Sequence, residues 1–293
     1  MVGDRIRTGG GTAELTAELR ADYDAAAGDW ASGQTGPGAM YAPLARSLVA
    51  AAPVPPAGRL VLDLGAGTGA AGRAALAAGA RRVVAADLSE GMLRRGRGGT
   101  PVVADPVVAD PVGADPVVAD PVVADAVALP FRDGRFDLVL AAFCLNHLDR
   151  VEDGLAEARR VGAAIAASAF APGWTHPAKD AADGAFRSFG YRPPDWYTAL
   201  APGSRAGHPE TLAESAAAAG FTRVQVRTVS VPTALATPAE LVSWRLGMAH
   251  YAPFLRSLDP AGRAAARRAA ERAVAAAMPD GPLVVSMAVL TAS

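Results

Sequence analysis

Two acids and one glycine turn carry most of the chemistry this sequence can do. Asp63 stands before three glycines at alternate positions, Gly65, Gly67 and Gly69, in RLVLDLGAGTGAAGR, residues 59–73. Glycine accepts positive φ and lets a ligand touch the backbone, and the helix start that follows offers unpaired N–H groups. A dinucleotide site calls for G-x-G-x-x-G with a diphosphate seated on the helix start. Here the pattern is G-x-G-x-G, and an acid two residues before the first glycine repels a diphosphate. It suits a ligand with an ammonium group and no phosphate. Asp87 ends the run RVVAAD, 22 positions after Gly65, about where nucleotide folds place a carboxylate on ribose hydroxyls. Ser89 is the better cap for the helix that follows.

The stretch DLGAGTG resembles the first motif of class I S-adenosylmethionine (SAM)-dependent methyltransferases. The resemblance covers residues 20–170 strongly and the end of the chain more loosely. It implies SAM as cofactor, held by Asp63, Gly65, Ala66, Gly67 and Gly69, with Asp87 and Leu88 at the ribose. Met92 of EGML would pack beside the adenine. The family's acid at the end of the third strand accepts from the adenine amino group, and the next N–H reaches a ring nitrogen. These would be Asp125 and Ala126, with Asp105 as the alternative in an earlier copy of the same pentad. The segment YDAAAGDW resembles a lid over the cofactor, which makes Tyr23 and Trp30 contacts; aromatics pinning a helix to the core is the competing reading.

Methyl transfer from a sulfonium is an in-line displacement whose leaving sulfur needs no acid. Alignment alone supplies about 7–11 kcal/mol. A base is needed only when the acceptor must lose its proton early. His147 suits that role, since an unperturbed histidine pKa lies near 6.5; the alternative is a polar turn residue that shapes the pocket. Asn146 would hold a substrate hydroxyl or amine. Both follow the strand Phe136 to Ala142, together with Phe143 and Cys144, at the carboxyl end where open α/β sheets bind ligands. Cys144 reads as a buried filler.

Hydrophobic periodicity predicts the elements that position these groups. By the resemblance they compose an α/β fold, a doubly wound seven-stranded sheet, mostly parallel with one antiparallel strand, helices on both faces and a helical lid. Residues 1–38 are an N-terminal flexible segment and lid helix, with helix over 12–27 and loop from Gly28. Residues 39–172 form the core, 173–206 a lid segment, 207–232 more core, 233–280 a helical substrate lid and 281–293 the last strand. Residues 101–125 are five tandem pentads, four reading PVVAD and one PVGAD. Proline every fifth residue argues against a stacked solenoid. Removing four copies leaves an uninterrupted match to the family, so residues 101–120 read as a duplicated surface loop and Val122 to Asp125 as the third strand. In the lid, Trp174, Trp244, Arg245, Met248 and His250 form either a packed helix or an aromatic pocket for a flat metabolite, Arg245 or His250 pairing its polar group.

A net charge of −1 over 293 residues gives no footprint for nucleic acid or acidic membranes. The single cysteine, Cys144, points to a reducing, cytoplasmic setting. No apolar run reaches the roughly 20 residues of a membrane span, the N-terminus lacks a signal-peptide core, and no Cys or His pair has metal-ligand spacing. The expected protein is a methyltransferase acting on an O, N or C atom of a small-molecule acceptor, in secondary metabolism, as a monomer or homodimer. Two alternatives remain: a SAM-binding protein of the same fold that acts through a partner, and a nicotinamide dehydrogenase, which Asp63 disfavours.

Overall fold

A computed structural model describes residues 10–31, 37–96, 102–103, 120–200 and 205–293. Eight strands form one sheet: β1 Leu60–Leu64, β2 Arg82–Asp87, β3 Val102–Val103, β4 Asp120–Val123, β5 Leu138–Ala142, β6 Ile165–Phe170, β7 Gln225–Pro232 and β8 Val284–Ala292. Their order is β3-β4-β2-β1-β5-β6-β8-β7. All neighbours are parallel except β8, which runs against β6 and β7. The expected seven strands with one reversed are present, and β3 adds a two-residue edge from the first pentad.

The inner strands are buried on both faces, and their side chains alternate between two clusters. Val61, Val83, Leu138 and Leu140 join the cluster under α2 (Pro37–Ala51), α3 (Ala70–Ala77), α6 (Pro177–Ser188), α9 (Pro238–Leu246) and α11 (Pro260–Ala277). Leu60, Leu62, Val84 and Ile165 join the cluster under α5 (Val151–Val161) and α8 (Pro209–Ala218). Helices α6, α8, α9 and α11 each begin with proline, whose missing N–H costs nothing in a first turn. Thr237 and Glu240 close a reciprocal capping box on α9.

Within residues 233–280, α9 and α11 thus complete one face of the sheet. The roof over the strand ends consists of α1 (Gly10–Ala31), α7 (Asp195–Leu200), a 3-10 turn at Ala249–Tyr251 and α10 (Ala252–Ser257). Helix α1 runs through Gly28, where the sequence predicts a loop. Gly28 faces Arg95 of α4 (Glu90–Arg95), and docking of α1 on α4 overrides the low helix propensity of glycine.

The pentads are a correction. The fifth copy does supply the strand beside β2, but that strand runs Asp120–Val123 and not Val122 to Asp125. Ala124 still donates its N–H to the Asp87 carbonyl at 2.9 Å. By alternation Pro121 therefore directs its missing donor away from β2, toward the side where the two-residue β3 pairs with Val122 and Val123. Val102 pairs with Val122 and Val103 with Val123, so equivalent residues of the first and fifth copies lie side by side. Asp105 and the loop reading of residues 104–119 lie outside the described residues, as does flexibility of residues 1–9. Deleting residues 101–120 is expected to leave a cooperatively folding chain, its melting temperature within about 5 °C of the parent. Loss of the cooperative transition in calorimetry would show that the repeat belongs to the core.

Candidate functional site

Strand order reverses at β1, between β2 on one side and β5 on the other, and a cavity opens at the carboxyl ends of these strands. Its volume, about 1020 Å³, is at the upper end for small-molecule sites. The floor is the glycine turn. Gly65, Gly67 and Gly69 have φ of 65°, 54° and 84°. A Cβ on Gly65 would sit 2.5 Å from Cys144 Sγ, so the turns after β1 and β5 touch only because that side chain is missing.

Two acids flank this turn. Asp63 projects to the α3 side of β1, where Gly72 donates its N–H to Oδ2 at 2.6 Å. A Cβ on Gly72 would come within 2.9 Å of the same oxygen. Burial, above all, and the neighbouring Asp87 charge push the Asp63 carboxyl up to about 7, against the Gly72 bond and Arg73. Asp87 accepts the Gly67 N–H on Oδ2 at 2.7 Å and the Ser89 N–H on Oδ1 at 2.8 Å. Burial again raises its pKa. Ser89 is the helix cap, accepting from Met92 N–H at 3.1 Å. Each Asp87 oxygen keeps a lone pair for a hydroxyl donor. Met92 is buried, and Asp125, Ala126 and Leu88 line the wall beside it. Bare backbone, two carboxylates and an apolar wall are a donor set that fits SAM.

The opposite wall is aromatic. Trp30 stacks on Tyr41 at 5.4 Å, Tyr41 meets Phe143 at 5.3 Å, Phe143 meets Phe170 at 4.7 Å, and Phe170 stacks on Trp174 at 5.1 Å. Tyr23 joins Trp30 to Trp196 at the other end. Phe143 holds φ of 54°, the one positive value among described non-glycine residues. Such strain persists where surrounding structure imposes it, commonly at binding sites.

Three consecutive residues fasten α1 over this cavity. Asp22 accepts from Trp196 Nε1 at 2.9 Å and from Arg256 at 3.1 Å. Tyr23 hydroxyl lies 3.1 Å from His147 Nε2. Asp24 accepts from Ser89 hydroxyl at 2.6 Å and Gly91 N–H at 2.7 Å. Burial lowers the His147 pKa to about 4, so the ring is neutral at neutral pH and accepts or donates hydrogen bonds without charge. Asn146 Oδ1 is buried with no donor among the described residues, and an amide oxygen accepts an O–H or N–H. Burial pushes the Cys144 thiol well up, so no thiolate forms there.

Every described residue named from the sequence lines this cavity except Gly69, which sits behind the turn as the left-handed cap of α3. Arg245 is committed elsewhere: Nε and an Nη donate to both oxygens of Asp183 at 2.8 and 3.1 Å. His250 stacks on Tyr197 at 4.0 Å. Met248 receives the Tyr41 hydroxyl at 3.9 Å. Tyr41, Phe170, Lys179 and Tyr197 escaped the sequence reading; Tyr41 is the one aromatic in a helix that also carries Met40, Leu44, Leu48 and Val49, a signal too weak to separate wall from core. Among the described residues no group of His, Cys, Asp and Glu converges as a metal site, and no helix is long and apolar enough to cross a membrane.

Comparison with known proteins places these features. The family described as "Methyltransferase domain" matches residues 62–164. A demethylmenaquinone methyltransferase of Clavibacter sepedonicus is 39% identical over 107 residues, 36% of this chain and 38% of that protein. One from Thermobifida fusca is 38% identical over 112 residues, covering 36% and 39%. The match thus spans under two fifths of either relative's length. Among solved structures, a candidate methyltransferase from an antibiotic biosynthesis pathway of Anabaena variabilis superposes with TM-score 0.52 at 16% identity, over 85% of this chain and 96% of that one. A Haloferax volcanii candidate methyltransferase, solved with the activator Trm112, gives 0.51 at 17% identity over 92% and 96%. At these identities the structures share the fold.

Two outcomes test the cofactor half with S-adenosylhomocysteine (SAH) as probe. Asp87→Ala is expected to weaken SAH at least about tenfold, since hydrogen bonds to a charged group contribute roughly 1.5–3 kcal/mol, with cooperative unfolding retained; unchanged affinity in calorimetric titration would remove Asp87 from the site. Asp63 sets a pH dependence. Its raised carboxyl stabilises the ligand-free fold below the ordinary value of 3.8, and that contribution is lost as pH rises to about 7. An ammonium ligand binds the ionised form, so SAH affinity should climb between about pH 5.5 and 7.5, with proton release below 7. Titration in two buffers of different ionisation heat reads this directly, and a flat profile without proton release would contradict it.

Proposed function

We propose that this chain, whose residues 62–164 match the family described as "Methyltransferase domain", is a class I SAM-dependent methyltransferase that moves the methyl group of SAM to an O, N or C atom of a small molecule with a flat, apolar body. The observation that carries this reading is the division of one cavity into two halves. Bare glycines, Asp63, Asp87 and Asp125 make a polar half, and the row from Trp196 to Trp174 makes an aromatic one. In the reading, Asp63, Gly65, Ala66 and Gly67 hold the amino-acid tail, with Gly69 shaping the turn from behind. Asp87 and Leu88 hold the ribose, and Met92, Asp125 and Ala126 the adenine. Tyr23, Trp30 and Phe143 close over the cofactor. Trp174, Trp244 and Met248 face the acceptor, and Arg245 and His250 stand behind them.

SAM supplies an electrophilic methyl on a cationic sulfur. The chain's share is to align the nucleophile and exclude water. Asn146 Oδ1 accepts from the acceptor's O–H or N–H and so orients it. His147, neutral and bonded to Tyr23, positions the acceptor and takes a proton only late in the transfer. The curated relatives are named for demethylmenaquinone, but the wall facing the acceptor lies mostly outside residues 62–164, so their substrate is not carried over. A cytoplasmic setting accords with the lone cysteine.

The low basicity of His147 favours one second reading, a SAM-binding protein of this fold without transfer activity that acts through a partner. Purified chain incubated with methyl-labelled SAM and pooled phenols, amines and activated ring carbons separates the two. Label in an acceptor supports transfer; SAH binding without label in any pool supports the second. With an acceptor found, kcat at saturating SAM is expected to be flat between about pH 6 and 8, and His147→Gln to cost less than roughly tenfold. An inflection near 6.5 that His147→Gln removes would make His147 the general base.

A further inference from the structure

Of the 28 basic residues in this chain, 27 are arginine, and the one lysine is Lys179. It lies on the cavity wall. It stands in the first turn of α6, where the helix dipole disfavours a cation. A rule broken locally at a cavity invites a functional reason.

The surroundings of Lys179 supply one. Its Nζ donates to Asp183 Oδ2 at 3.1 Å and lies 3.6 Å from Asp180 Oδ1. Asp180 is exposed and accepts the Thr175 hydroxyl. Asp183 is saturated, taking Arg245 on both oxygens and Tyr251 hydroxyl on Oδ1 at 2.7 Å. Burial raises its carboxyl, but the Arg245 and Lys179 charges outweigh burial and hold it below the ordinary range. His250 adds no negative charge. Arg245 can only donate, so His250 Nε2 at 3.2 Å accepts and the ring proton sits on Nδ1. Burial, with Arg245 and Lys179, keeps that ring neutral. Lys179 and Arg245 therefore share Asp183 inside the wall, and the exposed Asp180 is the second counter-charge of Lys179. An ammonium has three donors and Asp183 takes one, which leaves donors for a ligand on the cavity side. Lysine, a compact point charge, can serve Asp183 and a second anion at once.

We propose that Lys179, backed by Arg245, is an anion subsite for the acceptor: the molecule that is methylated carries a carboxylate, which meets Lys179 Nζ while its flat body lies along the aromatic row. A single ammonium already shared with Asp183 and Asp180 matches a carboxylate monoanion better than a phosphate dianion. The inference rests on the methyltransferase reading and names its substrate class.

Cinnamate, its neutral amide cinnamamide, and phenyl phosphate test it, titrated into SAH-saturated protein with tryptophan fluorescence as readout. Cinnamate should bind at least about tenfold tighter than cinnamamide. Lys179→Met, checked for cooperative melting, should cut that preference below about threefold, and Lys179→Arg should keep most of it. Equal binding of acid and amide by the parent protein, or a preference that survives Lys179→Met, overturns the proposal. Phenyl phosphate binding tighter than cinnamate overturns the carboxylate assignment. A separate SAH titration of the parent keeps the two readings apart: without SAH binding the methyltransferase reading fails, while the cinnamate preference is still measured on the free protein.

Discussion

Two carboxylates buried at the ends of neighbouring strands set the terms for the rest of this molecule. Asp63 and Asp87 stand close enough that the charge of Asp87 makes Asp63 harder to ionise, and burial does the same to both. Left alone, such a pair is a cost. Backbone donors from Gly67, Gly72 and Ser89 offset part of it, and a ligand bringing positive charge and hydroxyl donors would offset more. The three glycine positions follow from the same constraint. Gly65 lets the turn after β1 press on Cys144, and Gly72 leaves room for the Asp63 oxygen.

The sheet makes one half of the cavity, and elements added around it make the other. Tyr23 and Trp30 come from α1, Tyr41 from α2, Phe170 and Trp174 from the end of β6, Trp196 from α7 and Trp244 from α9. Helix α1 has a weakly sided sequence, so apolar burial alone does not orient it. Asp22, Tyr23 and Asp24 do so by hydrogen bonds in three directions. A roof held by polar contacts at few points can lift at modest cost, which suits a cavity that must admit an acceptor and release a product.

The cofactor half was legible because its chemistry is local. Asp63 and the glycines share one turn, and Asp87 ends the next strand at a spacing set by one helix and one strand. The aromatic half was legible only in part. Trp174, Trp244 and Met248 stood out as large residues in loops and a late helix, but Tyr41 and Phe170 meet them only through tertiary packing. Arg245 read as a substrate partner because nothing in sequence showed Asp183, 62 positions earlier, closing on it. The strand chosen among five equal pentads came from the right copy, yet its ends moved, since identical copies compete and pairing with β2 and β3 decides where the strand begins. The pentad at the edge, β3, was invisible because repetition erases the signal that would rank one copy above another.

The most direct test of the central claim is a crystal structure of the chain with SAH. The account predicts the amino-acid tail against Gly65 and Gly67 beside Asp63, the ribose on Asp87, and the sulfur facing the aromatic row near Phe143. Density for the ligand elsewhere, or a ligand bound with its ribose away from Asp87 and its sulfur turned from that row, would contradict it.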